Sequence, residues 1–321
     1  MSSERLGQFE NGRRPFFRQL LEQYMAGDSH VHTIFSNPES RHEADYTFEQ
    51  IFEYLKNEID KGTNRAQFVI LAEHASDAGD PQSVNGKDLI DHHNSVHAFN
   101  QEMSEQGMES PKLVSGVEAS IISPDGKVDV PDEILAQMDF VIASKHDLRK
   151  VFPESNGDPN AEQLTTMYLG LMDNQHIDAI GHPNRYVKMD DLQKMDWDQI
   201  FQKAKNTHTA LEINLNAIMP DELIEKAVRA GVPLIIGTDM HTLAQYQQLP
   251  ESVRSQIETA DDRLNFPPGF KFWWRIARVL KVINRAGATS EQVITSSYDR
   301  LYDWLSKEKS ERTLDWQNAG T

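Results

Sequence analysis

Short apolar, β-branched runs recur along the chain, and longer amphipathic stretches separate them. Seven runs read as strands: "SHVHT", "QFVILAEH", "KLVSGVEA", "DFVIASKH", "IDAIGHP", "TALEINL" and "VPLIIGTDMH". The stretches "TFEQIFEYLKNEIDKG", "LIDHHNSVHAFNQEMSEQG", "AEQLTTMYLGLMDNQ", "DWDQIFQKAKN" and "DELIEKAVRAG" carry apolar residues at helical spacing. Strand alternating with helix predicts parallel βαβ units. About seven such units in one chain of this length favour a (β/α) barrel over an open sheet, although an open sheet gives similar strings. The pattern divides the chain into a helical lead-in over 1–26 and a single barrel domain over 27–321, with a helical segment at about 270–310. Two long connections, "ASDAGDPQSVNG" after His74 and the segment 242–272, are expected to shape a pocket.

The C-terminal ends of these strands carry a second pattern. The first ends in His30 and His32, the second in His74, the third in Glu118, the fourth in His146, the fifth in His182, and the seventh in Asp239 and His241. In a parallel barrel those ends converge on one face, where active sites lie. Residues i and i+2 of a strand point the same way, so His30/His32 and Asp239/His241 can each clasp one ion. Taken singly, each group has a plainer reading. A lone His-x-His is more often a hydrogen-bonded pair, Glu118 a salt-bridge partner, and "GHP" a turn. Six of seven strand ends carrying such groups is a different observation. Eight groups are too many for one tetrahedral ion and point to two or three ions bridged by a carboxylate, Glu118 being the candidate.

Composition narrows the chemistry. The chain has no cysteine, which excludes disulfides and thiolate zinc sites. Imidazole and carboxylate ligands suit Zn, Mn or Fe. Acidic residues outnumber basic ones 50 to 32, a net charge of −18. Such a field disfavours a stable nucleic-acid partner but admits a small phosphorylated substrate where bound cations reverse the local potential. No apolar run approaches the roughly 20 residues that span a bilayer, and "MSSERLGQFENGRRPFFRQLL" has no signal-peptide core. A cytoplasmic protein without a membrane partner is the expectation.

"DSHVHT", "AEH", "GVEAS…GKVDVPDEILAQMDFVIASKH", "IGHPNR" and "LIIGTDMHT" resemble, in order, the motifs of the PHP (polymerase and histidinol phosphatase) family, most closely its stand-alone bacterial phosphoesterases. The resemblance runs from about 27 to 243. It implies a distorted (β/α)7 TIM-like barrel, here with N- and C-terminal helical additions, and a trinuclear metal centre. By that resemblance His30, His32, Glu118 and Asp239 hold one ion, and Glu118 bridges to a second held by His146 and His182. His74 and His241 bind the third. The family places a further His or Asp six or seven residues after the second His of its first motif. Pro38 and Glu39 stand there, with His42 close behind, so Glu39 or His42 is the candidate substitute.

Two or three divalent ions lower the pKa of a bridging water and offset charge on a transferring phosphoryl group. The expected reaction is therefore hydrolysis of a phosphate ester, most simply a monoester, with Glu118, Asp239 and His241 as catalytic residues. Arg185 and Lys145 are the candidates to grip substrate phosphate, with Arg41 and Arg149 behind them. On a regular strand, however, Lys145 points away from His146. A metal-dependent amidohydrolase also opens with His-x-His, but typically uses a bridging lysine and a lone final Asp. A nuclease acting on short oligonucleotides or cyclic phosphates, and a non-catalytic metal-binding scaffold, are the remaining readings.

Two features stand outside this set. His93 and His97 are spaced i, i+4 in "DHHNSVHAF" without a strand-end carboxylate, and read as a solvent-facing pair. "GFKFWWRIARVLKVI" reads as a helix packed on the barrel or at a homodimer interface, for which Trp273 and Trp274 are the hint.

Overall fold

The computed structural model describes residues 16–36, 44–60, 66–75, 86–243 and 268–307. The strands are β1 (Gly27–Val31), β2 (Phe68–Ala75), β3 (Lys112–Ser120), β4 (Phe140–Ser144), β5 (Ala179–Ile180), β6 (Ala210–Asn214) and β7 (Leu234–Gly237). They form one parallel sheet in chain order. Past β7 the chain returns to β1. Val31 bridges Met240, His32 N–H donates to the Met240 carbonyl at 2.9 Å, and Met240 N–H donates to the His30 carbonyl at 3.2 Å. The result is a nearly closed (β/α)7 barrel, as the strand count predicts.

Most strands are apolar on both faces because both are covered. Outward residues such as Val69, Leu71 and Leu113 pack with Ile51, Phe52 and Leu55 of the Phe48–Asp60 helix. Inward residues Phe68, Ile70, Val114, Phe140, Ile142, Ala179, Ala210 and Ile235 form one cluster inside the barrel. At a period of two, each inward row changes character as it climbs. Ala72 gives way to His74, Gly116 to Glu118, Ile142 to Ser144 and then His146, and Ile235 to Gly237 and then Asp239. A dry floor and a polar mouth are thus written into the same strands.

The floor is closed from below. After the Pro268–Arg285 helix, the chain crosses under β7 with a bridge between Val293 and Leu234. The Tyr298–Leu305 helix then sets Leu301 and Trp304 into the inner cluster, and both are fully buried. The N-terminal Phe16–Tyr24 helix lies against the Pro268–Arg285 helix. Phe17 meets Trp273 edge to face at 6.5 Å, and the Tyr24 hydroxyl donates to the Ala288 carbonyl at 2.8 Å. The two additions therefore form one packed unit, in which Trp273 and Trp274 are half-buried against the core. Among the described residues, no helix is long and apolar enough to cross a membrane.

β5 is shorter than its apolar run. A Cβ on Gly181 would collide with Ser144 Oγ, His182 takes a positive φ of 22°, and Pro183 lacks an N–H for the ladder. The chain leaves the sheet there, which swings His182 over the barrel mouth.

Candidate metal centre

All eight strand-end groups converge on the mouth, and Glu118 lies at their centre. Its Oε1 is 2.9 Å from His182 Nε2 and 3.2 Å from His146 Nε2. Its Oε2 is 3.2 Å from His74 Nδ1, 3.4 Å from His30 Nε2 and 3.6 Å from His32 Nε2. Asp239 Oδ1 lies 3.5 Å from His32 Nε2 and 3.9 Å from both His30 Nε2 and His241 Nδ1. The rings of His74 and His241 both stack against His32, at 4.4 and 4.5 Å between centroids, and lie 6.5 Å from each other.

Three overlapping sets have ligand atoms within 4.8 Å of one another: His30/His32/Asp239, His32/His74/His241 and His74/Glu118/His146. This donor set fits divalent ions. His30 and His32 turn their Nε2 atoms toward each other at 3.1 Å, and Glu118 Oε2 and His146 Nε2 are buried without a hydrogen bond. A bound cation is the natural common partner for such lone pairs.

Electrostatics favours the ligand state. Burial alone would raise the Glu118 pKa, but His146, His30 and His74 outweigh it and hold the carboxyl well below its ordinary range. Asp239 follows the same logic, burial being outweighed by His32 and His30. Burial, aided by the neighbouring His32, pushes His74 well below its ordinary value, and also lowers His241; burial depresses His182 as well. Burial would lower His30 too, but Glu118 and Glu212 override it and raise its pKa well above normal. Burial would lower His146 as well, but Glu118 outweighs it and raises its pKa. Charged carboxylates beside the lowered His74, His182 and His241 suit a divalent ion, whose binding would displace protons from His30 and His146.

Several of the ring nitrogens that do not face Glu118 are held in turn. His30 Nδ1 meets Glu212 Oε1 at 2.8 Å, and Glu212 Oε2 accepts the His182 N–H at 2.6 Å. His146 Nδ1 meets Ser120 Oγ at 2.9 Å, and His241 Nδ1 the Asp239 carbonyl at 3.0 Å. His32 Nδ1 lies 3.3 Å from Ser36 Oγ, which donates to Glu73; Glu73 also accepts from Thr33 Oγ1 at 2.7 Å. Asp28 fastens β1 to the end of β7, accepting the N–H groups of His30 at 3.1 Å and Thr238 at 2.9 Å. Such contacts fix ring orientation and tautomer. A Cβ on Gly237 would strike Glu212 Oε1 and His30 Cβ, so only glycine fits that position. Glu73 and Glu212 were not singled out from the sequence. The signal was a lone carboxylate inside an apolar strand, which must be paired if buried.

The two cationic candidates separate. Arg185 reaches the centre, with Nη1 donating to Asp239 Oδ2 at 2.6 Å, and stays one-third exposed. Lys145 is fully buried and turns away, as strand alternation anticipated. Its Nζ donates to the carbonyls of Pro183 at 2.8 Å and His182 at 3.3 Å, above the Tyr168 ring. Burial, together with Arg185, brings its pKa down to about 7. Arg149 lies in the short Leu148–Val151 helix. Glu39, Arg41 and His42 lie outside the described residues.

No family model matches the chain. It is 30% identical over 231 residues to the DNA polymerase/3'-5' exonuclease PolX of Bacillus subtilis, a match covering 71% of this chain and 36% of PolX. The chain thus spans about a third of that relative's length. It is 25% identical over 236 residues to a protein named "Probable phosphatase" of Caldanaerobacter subterraneus subsp. tengcongensis, covering 71% of this chain and 80% of that one. Among solved structures it is similar to the histidinol phosphate phosphatase of Lactococcus lactis, determined with zinc, L-histidinol and phosphate. That match has a TM-score of 0.49 and 15% identity over 82% of this chain and 94% of the other. Taken with the ordered strand-end cluster on a seven-stranded barrel, the two sequence relatives support a PHP-family phosphoesterase.

Proposed function

We propose that the protein is a metal-dependent phosphomonoesterase acting on a small phosphorylated metabolite, with two or three divalent ions (Zn, Mn or Fe) in the barrel mouth. One observation carries the reading: six imidazoles and the Asp239 carboxylate converge around the buried Glu118. His30, His32, His74, Glu118, His146, His182, Asp239 and His241 are the proposed ligands. When bound, such ions polarise phosphoryl oxygens and make water a nucleophile near neutral pH. The chain's own groups do the rest. Glu118 joins the two halves of the cluster, Asp239 and His241 rim the opening, and Arg185 offers guanidinium donors to the phosphate beyond its bond to Asp239. Lys145 has a different role from the phosphate grip expected of it: it steadies the His182–Pro183 turn from beneath. The net charge of −18 supports a small substrate over a polymer.

The likeness to PolX favours a second reading, cleavage of phosphodiesters in short oligonucleotides. Phosphate release from a panel of monoesters, using protein stripped by chelator and refilled with Mn, Zn or Fe, tests the first reading. We expect metal-dependent release that falls by roughly 10³-fold in His30→Ala and in Glu118→Gln, the equivalent of about 4 kcal/mol. Metal-dependent cleavage of a diester to a monoester, with no phosphate released from the monoesters, would favour the second reading, and His30→Ala at full activity would remove both.

A further inference from the structure

A separate cluster lies on the barrel's outer wall. The Gly86–Glu105 helix packs against β3 and carries His93 and His97 one turn apart, with 4.3 Å between ring centroids. The sequence shows no strand-end carboxylate beside them, but the fold delivers one. Asp139, the residue before β4, is pinned at both ends: its N–H donates to the Ser115 carbonyl at 3.1 Å, and its Oδ2 accepts the Ser115 N–H at 3.2 Å. That carboxylate faces the helix, with His97 Nε2 2.8 Å from Oδ2 and 3.1 Å from Oδ1. A nitrogen of His93 completes a set of three ligand atoms within 4.8 Å of one another. His93 Nδ1 is also buried without a hydrogen bond, a state that costs about 1–3 kcal/mol.

We propose that His93, His97 and Asp139 form a second metal site, separate from the barrel mouth, for one late first-row divalent ion such as zinc. Two imidazoles and one carboxylate select Zn, Ni, Co or Cu over Mg or Ca, which prefer oxygen. Burial lowers the His93 pKa more than Asp139 raises it, so the ring offers a lone pair at neutral pH. Ligand atoms around a tetrahedral ion stand about 3.3 Å apart. His97, with 53% of its side chain exposed, has the freedom to close that gap. Three protein ligands leave a fourth position for water. Asp139 and His146 lie seven positions apart along β4 and its continuation, roughly 20 Å of strand, so this ion sits at the far end of the barrel from the mouth. It would tie the outer helix to the foot of the strand that carries His146.

Untagged holoprotein titrated with zinc in a calorimeter tests the site. Wild type should take up one ion per chain beyond its resident metal and gain thermal stability as it does so. His97→Gln and Asp139→Asn should lose both effects, while His97→Gln, at an exposed position, keeps wild-type circular dichroism and phosphoesterase activity. No additional uptake by wild type, or equal uptake by the variants, would overturn the proposal; in either case the reading of the barrel mouth stands or falls on its own assay.

Discussion

Glu212 sets two proposed ligands at once, one on each side of the barrel mouth. It meets the His30 ring at Nδ1 and accepts the His182 backbone N–H, so it acts on the cluster through two of its members. Glu212→Gln should weaken metal binding by about 10–100-fold while leaving activity recoverable at raised metal, which a titration of activity against free metal would read. Unchanged metal dependence would remove Glu212 from that role. The eight proposed ligands could be picked out because period-two alternation puts strand-end residues where the inward row meets the open face. Glu212 was not, because it sits one inward step below the end of β6, where Asn214 takes the terminal place. Lys145 was half legible. Alternation turned it away from His146, but only the fold shows that a neighbouring turn supplies carbonyls for its ammonium.

At the level of elements, all seven strands stood out as apolar runs, and the five amphipathic stretches became helices close to the expected positions. Boundaries moved where a residue's backbone overruled its run. β5 shrinks to Ala179–Ile180 ahead of His182, and β7 ends at Gly237 before Asp239 takes a φ of 54°. Positive φ at two proposed ligands is local strain that the surrounding barrel sustains. The role of the Tyr298–Leu305 helix could not be read, because its partners lie far away in sequence: Phe68, Val114, Phe140 and Ala210. Trp304→Ala should empty part of the barrel floor and cost about 3–5 kcal/mol in urea unfolding, with activity at 25 °C retained. A loss below about 1 kcal/mol would mean that the floor collapses around the gap or carries little of the stability.

For the molecule as a whole, Lys145 makes stability depend on pH in a defined direction. Its pKa is about 7 in the folded protein against about 10 in an unfolded chain. Between those values the unfolded state binds more protons, so stability rises from pH 7 to pH 10 and is lost as pH falls through 7. Lys145→Met should lack this rise, so the difference in urea midpoint between wild type and variant should move toward wild type from pH 7 to pH 9. A parallel pair of profiles would show that the ammonium is better solvated than its burial indicates. The packing of the Phe16–Tyr24 helix on the Pro268–Arg285 helix has a consequence for biosynthesis. Tyr24 finds its partners at Asn284 and Ala288, 260 and 264 residues later. At the usual pace of translation, that interval lasts on the order of tens of seconds. Throughout it, the Phe16–Tyr24 helix lacks its partner helix, and the ring of strand-end groups cannot close until β7 has emerged. A chaperone able to shield the early part of the nascent chain would raise the yield of folded protein.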